Sequence, residues 1–199
     1  MSTNTIITIE RQYGSGGHLI GEKLAESLGI PFYDSELIKV AAKESGICEE
    51  IFESFDEKPT TSFLYSLVMD PYSLGYNSNS FDLPLNHKVF LAAFDTIKEL
   101  ASKGPCVFVG RCADYALEDF DNCISVYVRI ENEYGIPNGK SKEMLMKKDK
   151  QRSSYYNYYS SNKWGDAKSY DLCLNSSYLG IDGSVDLIKK VIAMKESEK

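Results

Sequence analysis

Arg11-Gln12-Tyr13-Gly14-Ser15-Gly16-Gly17-His18 follows the β-branched run from Thr5 to Ile9 and precedes apolar residues at helical spacing. A turn of small residues between a strand and a helix lets successive backbone N–H groups, and the positive end of the helix, point at one anion. The stretch is therefore read as a phosphate-binding loop made by Gly14, Ser15, Gly16, Gly17 and His18. It departs from the full pattern G-x-x-x-x-G-K-[ST]. In that frame Arg11 holds the first Gly, Gly17 the Lys, and His18 the Ser or Thr.

Reading outward, Ile20, Leu24, Ala25 and Leu28 continue the helix, Gly29 is placed to close it in the left-handed conformation, and Ile30 to Asp34 reads as a second short strand. This β-loop-α-β opening resembles the cytidylate kinase-like branch of the P-loop nucleoside monophosphate kinases. The likeness is carried by the loop from Glu10 to Gly17, by Leu24 to Gly29 and by Phe32-Tyr33-Asp34, and three later stretches agree: Val107 to Arg111, Arg152 to Tyr156, and Tyr170 to Ser176. The stretch from Glu49 to Asn86 carries it least. With the alternation of apolar strands and helices, the resemblance implies a P-loop kinase-like α/β fold. That is a three-layer α/β/α domain with a central, mostly parallel five-stranded sheet and a helical lid.

The chain has 199 residues, 43% of them hydrophobic, enough for one sizeable core. A single domain over residues 1–199 is expected, with an acceptor-side insertion at about 49–86 and a lid at about 138–166. The net charge of −7 argues against binding a nucleic acid polymer. Five cysteines form no C-x-x-C pair, which reads as reduced, buried thiols. No run approaches the roughly 20 apolar residues needed to span a bilayer, and the N-terminus has no leader-like segment. A cytoplasmic protein without a membrane partner is the expectation.

Hydrophobic periodicity predicts helices beginning at Asp34 or Ser35, from about Glu49 to Phe55, and between Ser62 and Asp70; 71–84 reads as a loop. A long helix from Asn86 to Lys103, strands Cys106 to Val109 and about Ile124 to Val128, and a polar helix from about Ser141 to Ser160 follow. A last strand, Leu172 to Leu174, and a helix from Val185 to Lys195 complete the chain.

Phosphoryl transfer needs positive charge around the phosphates and donors that hold them in line. With no Lys at position 17, Arg11 can supply the missing charge; as an alternative, it is a solvent-facing residue in a surface salt bridge. His18 can donate to a phosphate oxygen or be a solvent-exposed first-turn residue. Arg111, at the carboxyl end of a buried strand, should point into the ligand crevice. By resemblance to the family's Gly-Arg-Asp motif it would grip an acceptor monophosphate, with Asp114 a looser match. Asp34 is either a helix cap or, by resemblance, an orienter or general base at the acceptor.

Lys147, Lys148, Lys150 and Arg152 form the basic cluster of an acidic chain, either a lid that closes on a triphosphate or a solvated helix face. The catalytic candidates are thus Arg11, Asp34, Arg111, Lys150 and Arg152. Tyr155, Tyr156, Tyr158, Tyr159 and Trp164 either stack on a base or pack the lid on the body or on a second copy in a homodimer. No metal ligand stands at the loop; Mg2+ would be held by water, phosphate oxygens and one carboxylate. After Tyr127-Val128 the chain is shorter than the family pattern. These features point to transfer from ATP to a small acceptor, with cytidine monophosphate first in line. A catalytically impaired nucleotide- or anion-binding module, and a kinase of another small molecule, are the alternatives.

Overall fold

The computed structural model describes residues 3–34, 85–131 and 140–197, together with Leu37, Val40, Ala41, Lys43, Ser45, Gly46, Glu50 and Glu57. The helices expected over 49–55 and 62–70, the loop over 71–84 and the shortened segment's 132–139 lie outside or almost wholly outside these residues. No helix among the described residues is long and apolar enough to cross a membrane.

Five strands, β1 (Ile6–Arg11), β2 (Phe32–Tyr33), β3 (Val107–Val109), β4 (Cys123–Arg129) and β5 (Leu172–Asn175), form one sheet in the order β2-β3-β1-β4-β5. Every pairing is parallel, with Ile7 opposite Val107 and Ile124, and Arg11 opposite Val128. All six residues of β1 are buried, as befits a central strand covered on both faces. The strand runs two residues beyond the β-branched run, so Glu10 and Arg11 belong to it.

Side-chain alternation then builds two cores. Ile7 and Ile9 face α1 (Gly17–Leu28) and the C-terminal α5 (Ser176–Ser197), meeting Ile20, Leu24, Val185, Ile188 and Ile192. Ile6 and Phe108 face α2 (Leu85–Ser102) and the short α3 (Ala113–Ala116), against Ile97, Leu100 and Leu117. The helix α4 (Lys140–Tyr159) joins the body through a third cluster, in which Tyr155 and Tyr156 meet Phe90, Tyr127 and Tyr170. The Phe90 and Tyr159 rings stack with centroids 4.0 Å apart. Tyr155, Tyr156 and Tyr159 thus pack α4 on the body.

The final helix starts nine residues earlier than its apolar spacing predicts. Gly180, at φ 67°, interrupts it, and the Ser184 hydroxyl donates to the Gly180 carbonyl just beyond the kink. In the strand order, the chain leaves β1 toward β3 and β2 and later crosses back to β4 and β5. This reversal leaves a crevice at the carboxyl ends of β1 and β3, where α/β sheets bind ligands.

Candidate active site

The glycine loop occupies the expected turn. Gly14 and Gly16 have φ of 83° and 76°, and Gly16 caps α1 without any side-chain hydrogen bond to the helix. The Ser15 hydroxyl and N–H both donate to the Gln12 carbonyl, closing the turn. Gln12 is pinned in turn, its N–H donating to the Val128 carbonyl and its side-chain oxygen accepting from the Ile130 N–H. The loop thus leads into the positive end of a 12-residue helix, whose first-turn N–H groups have no partners within the helix.

Arg11 ends β1 directly beneath this loop and is only 7% exposed, which corrects the reading of a solvent-facing charge. Its stem packs against Gly17, where a Cβ would lie 2.6 Å from Arg11 Cβ and 3.0 Å from Cγ. The guanidinium turns toward the end of β3, and a Cβ at Gly110 would strike both its Nη1 and the Glu57 carboxylate. Nη1 donates to Glu57 Oε1 at 2.7 Å, and Nη2 lies 3.5 Å from Oε2. Burial disfavours the charge, but Glu57 and then Glu10 outweigh it and raise the Arg11 pKa.

Glu57 collects further donors. The Arg111 backbone N–H donates to Oε1 at 3.2 Å and Arg152 Nε to Oε2 at 3.2 Å, while its own carbonyl accepts from the Gln151 amide. Burial works to raise its pKa, yet the charges of Arg11, Arg111 and Arg152 prevail and bring it to about 2. Glu57 is thus ionised at neutral pH and bound by groups from β1, the β3 end and α4.

Arg111 follows β3 in a left-handed conformation, φ 58°. Its Nη1 donates to Asp34 Oδ1 at 2.9 Å and to the Val109 carbonyl at 3.1 Å. Asp34 bridges two side chains, because its other oxygen lies 2.5 Å from His18 Nδ1. Burial raises the Asp34 pKa, but Arg111 overrides this and holds the carboxyl below its ordinary range. The His18 side chain, 57% exposed, stands beside the loop with its ring edge toward Phe32.

The helix α4 contributes unevenly. Arg152 reaches Glu57, places its guanidinium carbon 5.5 Å from the Tyr13 ring centroid, and approaches the Arg11 carbonyl. Lys147, Lys148 and Lys150 are exposed. Lys150, two residues before Arg152, projects to the opposite side of the helix. In its place Asp149 enters, its Oδ1 accepting from the Tyr13 N–H at 2.6 Å.

Behind the arginines, Glu10 is enclosed, with its Oε2 accepting from Trp164 Nε1 at 3.2 Å and lying 3.9 Å from Arg11 Nη1. Burial pushes its carboxyl up to about 8. Asp114 points away from the crevice and accepts from the Tyr156 hydroxyl at 2.5 Å, with burial lifting it to about 6.

Sequence reasoning missed Glu57, Glu10 and Asp149. The first lies in a stretch without periodicity. Glu10 was in the motif, and its place on the strand gave a usable signal once β1 was extended by two residues. The arrangement brings Arg11, Arg111, Arg152, Asp34 and His18 around one crevice under the glycine loop, a constellation suited to holding oxyanions. Among the described residues no three His, Cys, Asp or Glu side chains gather as a metal cage. A magnesium ion would suit this site as part of a hydrated nucleotide chelate, because Mg2+ keeps much of its water.

Sheet order, glycine loop and basic crevice define a P-loop kinase-like α/β protein. The chain belongs to the cytidylate kinase-like family, whose model matches residues 6–178. An uncharacterized protein from Eubacterium ventriosum ATCC 27560 is 28% identical, with a TM-score of 0.69 over 95% of this chain and 98% of that one. Shikimate kinase from Bacteroides thetaiotaomicron has 12% identity and a TM-score of 0.54, over 95% of this chain and 98% of that one. Shikimate kinase from Aquifex aeolicus vf5 has 15% identity and a TM-score of 0.50, over 98% of this chain and 100% of that one. These two likenesses are of fold. The comparison with curated proteins finds no match.

Proposed function

We propose that the protein transfers the γ-phosphoryl group of ATP to a small phosphorylated acceptor, a nucleoside monophosphate such as CMP being the first candidate. The observation that carries the reading is the meeting of Arg11, Arg111 and Arg152 at the carboxyl ends of β1 and β3, beside the N-terminus of α1. An acceptor phosphate oxygen attacks the γ-phosphorus, the bond to the β,γ-bridging oxygen breaks, and ADP leaves. The loop from Gly14 to His18 binds the donor phosphates, Arg111 and Arg11 hold the acceptor phosphate, and Arg152 closes the crevice from α4. Magnesium, when bound, neutralises charge on the phosphate oxygens. Asp34 orients Arg111 and His18 rather than removing a proton, since a phosphate acceptor is already ionised near neutral pH.

A panel of nucleoside monophosphates and small alcohols, incubated with magnesium-ATP and followed by ADP release, tests the proposal. ADP formation with a nucleoside monophosphate is expected, and Arg111→Ala should lower kcat/KM for that acceptor by roughly 30-fold or more while leaving ATP affinity nearly intact. ADP formation at the protein-free rate with every acceptor would instead favour the anion-binding module, a reading that the missing Lys at Gly17 supports. Turnover with an unphosphorylated alcohol alone would reassign the protein to another class of small-molecule kinase.

A further inference from the structure

We infer that Glu57 is a specificity-determining residue of the arginine site: its carboxylate stands where a phosphate dianion binds, so a ligand enters only by outcompeting it. The inference rests on the reading of Arg11, Arg111 and Arg152 as an anion site.

The carboxylate is held as a bound oxyanion would be. Oε1 receives Arg11 Nη1 at 2.7 Å and the Arg111 N–H at 3.2 Å, and Oε2 receives Arg152 Nε at 3.2 Å. The donors come from three elements that the sheet brings to one point, and both charge and backbone N–H take part, a combination that suits phosphate oxygens. Its location supports the same conclusion, because the carboxylate lies over Gly110 at the end of β3, beside the crevice made by the strand reversal.

Strain is concentrated at the same place. Among the described residues, the non-glycine residues with positive φ are Glu57 at 48°, Arg111 at 58° and Cys112 at 56°. Such conformations are costly for residues with a Cβ and gather at ligand clamps. Charge adds a further argument. A phosphate dianion in place of Glu57 brings one more negative charge to the guanidiniums of Arg11, Arg111 and Arg152, whereas a monoanionic carboxylate ligand merely exchanges one negative charge for another. Glu57 thereby selects for dianions and against sugar acids and other carboxylates.

Inorganic phosphate and acetate, titrated calorimetrically into the full chain and into Glu57→Ala, Glu57→Gln and Glu57→Asp, distinguish competition from scaffolding. Removing a competitor that keeps the site filled should tighten phosphate binding by about tenfold or more in Glu57→Ala, with a smaller gain in Glu57→Gln. It should also let acetate bind measurably. Glu57→Asp keeps the charge but is one methylene shorter, and it too should bind phosphate more tightly than the wild type, which keeps the test open should the neutral variants fail to fold. Phosphate affinity unchanged or weaker in the folded variants would overturn the inference and make Glu57 a scaffold for the arginines. Failure of the wild type and every folded variant to bind phosphate would overturn the anion-site reading beneath it.

Discussion

Gly17 and Arg11 share one small volume: a Cβ on Gly17 would lie 2.6 Å from the Cβ of Arg11. The missing lysine and the buried arginine are therefore two sides of one substitution, since the arginine stem fills the space from which a side chain at 17 would start. Gly17→Ala is expected to destabilise the fold by about 1–3 kcal/mol through overpacking, read as a lower urea midpoint with an unchanged m-value. Gly17→Lys should show at least the same loss and no gain in ATP turnover.

Arg11→Ala should be far more harmful than the loss of a surface charge. It strips Glu57 of its shortest contact and leaves buried carboxylates without their central cation, a change that costs about 3–5 kcal/mol when one partner of a buried pair is removed. Chemical denaturation would measure it. Arg11→Lys should recover part of the loss, because an ammonium keeps the charge without spanning both oxygens of Glu57.

The buried carboxyls set opposite pH limits. Glu10 is raised from 4.5 to about 8 by burial, so its stabilising contribution is complete below 4.5 and disappears as pH rises through 8. Glu57 is lowered from 4.5 to about 2, its arginine partners overcoming burial, so its contribution is present above 4.5 and disappears as pH falls toward 2. Unfolding free energies measured from pH 5 to 8 should decline more gently in Glu10→Gln than in the wild type. An identical decline in both would show that folding does not raise the Glu10 carboxyl above its ordinary value.

Tyr156→Phe should cost about 1–3 kcal/mol, the penalty for removing a hydrogen bond from a buried polar group, because the tyrosine donates to Asp114 Oδ2 at 2.5 Å in a fully enclosed setting. The Asp114 carboxyl, already lifted to about 6 by burial against the lowering effect of this bond, should titrate still higher. Carbon-13 NMR of the carboxyl follows the shift separately from the loss of stability.

Much of the scaffold is legible because it obeys local rules. The β-branched run and the apolar spacing of Ile20, Leu24 and Leu28 mark β1 and α1, and the burial of Ile20 and Leu24, with Leu28 partly buried against them, agrees. Arg111 is legible as a residue of interest because a charge at the end of an apolar strand has no packing role. What escapes is long-range. Nothing near Glu57 in the sequence announces that it pairs with Arg11, a residue 46 positions away, since ion pairs leave no periodic trace. Arg11 itself is misjudged when the β-branched run is taken as the whole strand, because the chain keeps its extended form through Glu10 and Arg11. The helix α4 has the same difficulty: a mostly polar helix gives little indication of which side faces inward, so the contact of Asp149 with the Tyr13 N–H leaves no trace in the sequence.

The aromatic anchorage of α4 also has a mechanical side. Tyr155, Tyr156 and Tyr159 fix its C-terminal end against Phe90 and Tyr170, while Lys147 and Lys148 project into solvent nearer the other end. A helix clamped at one end is a lever. From Tyr155 back to Lys140 the rise is about 22 Å, so a tilt of about 10° carries the far tip through about 4 Å. The same tilt moves the Arg152 backbone, close to the fulcrum, by less than about 1 Å, but it draws Asp149 about 1.5 Å from its place, so the tip swings only by giving up the bond from the Tyr13 N–H.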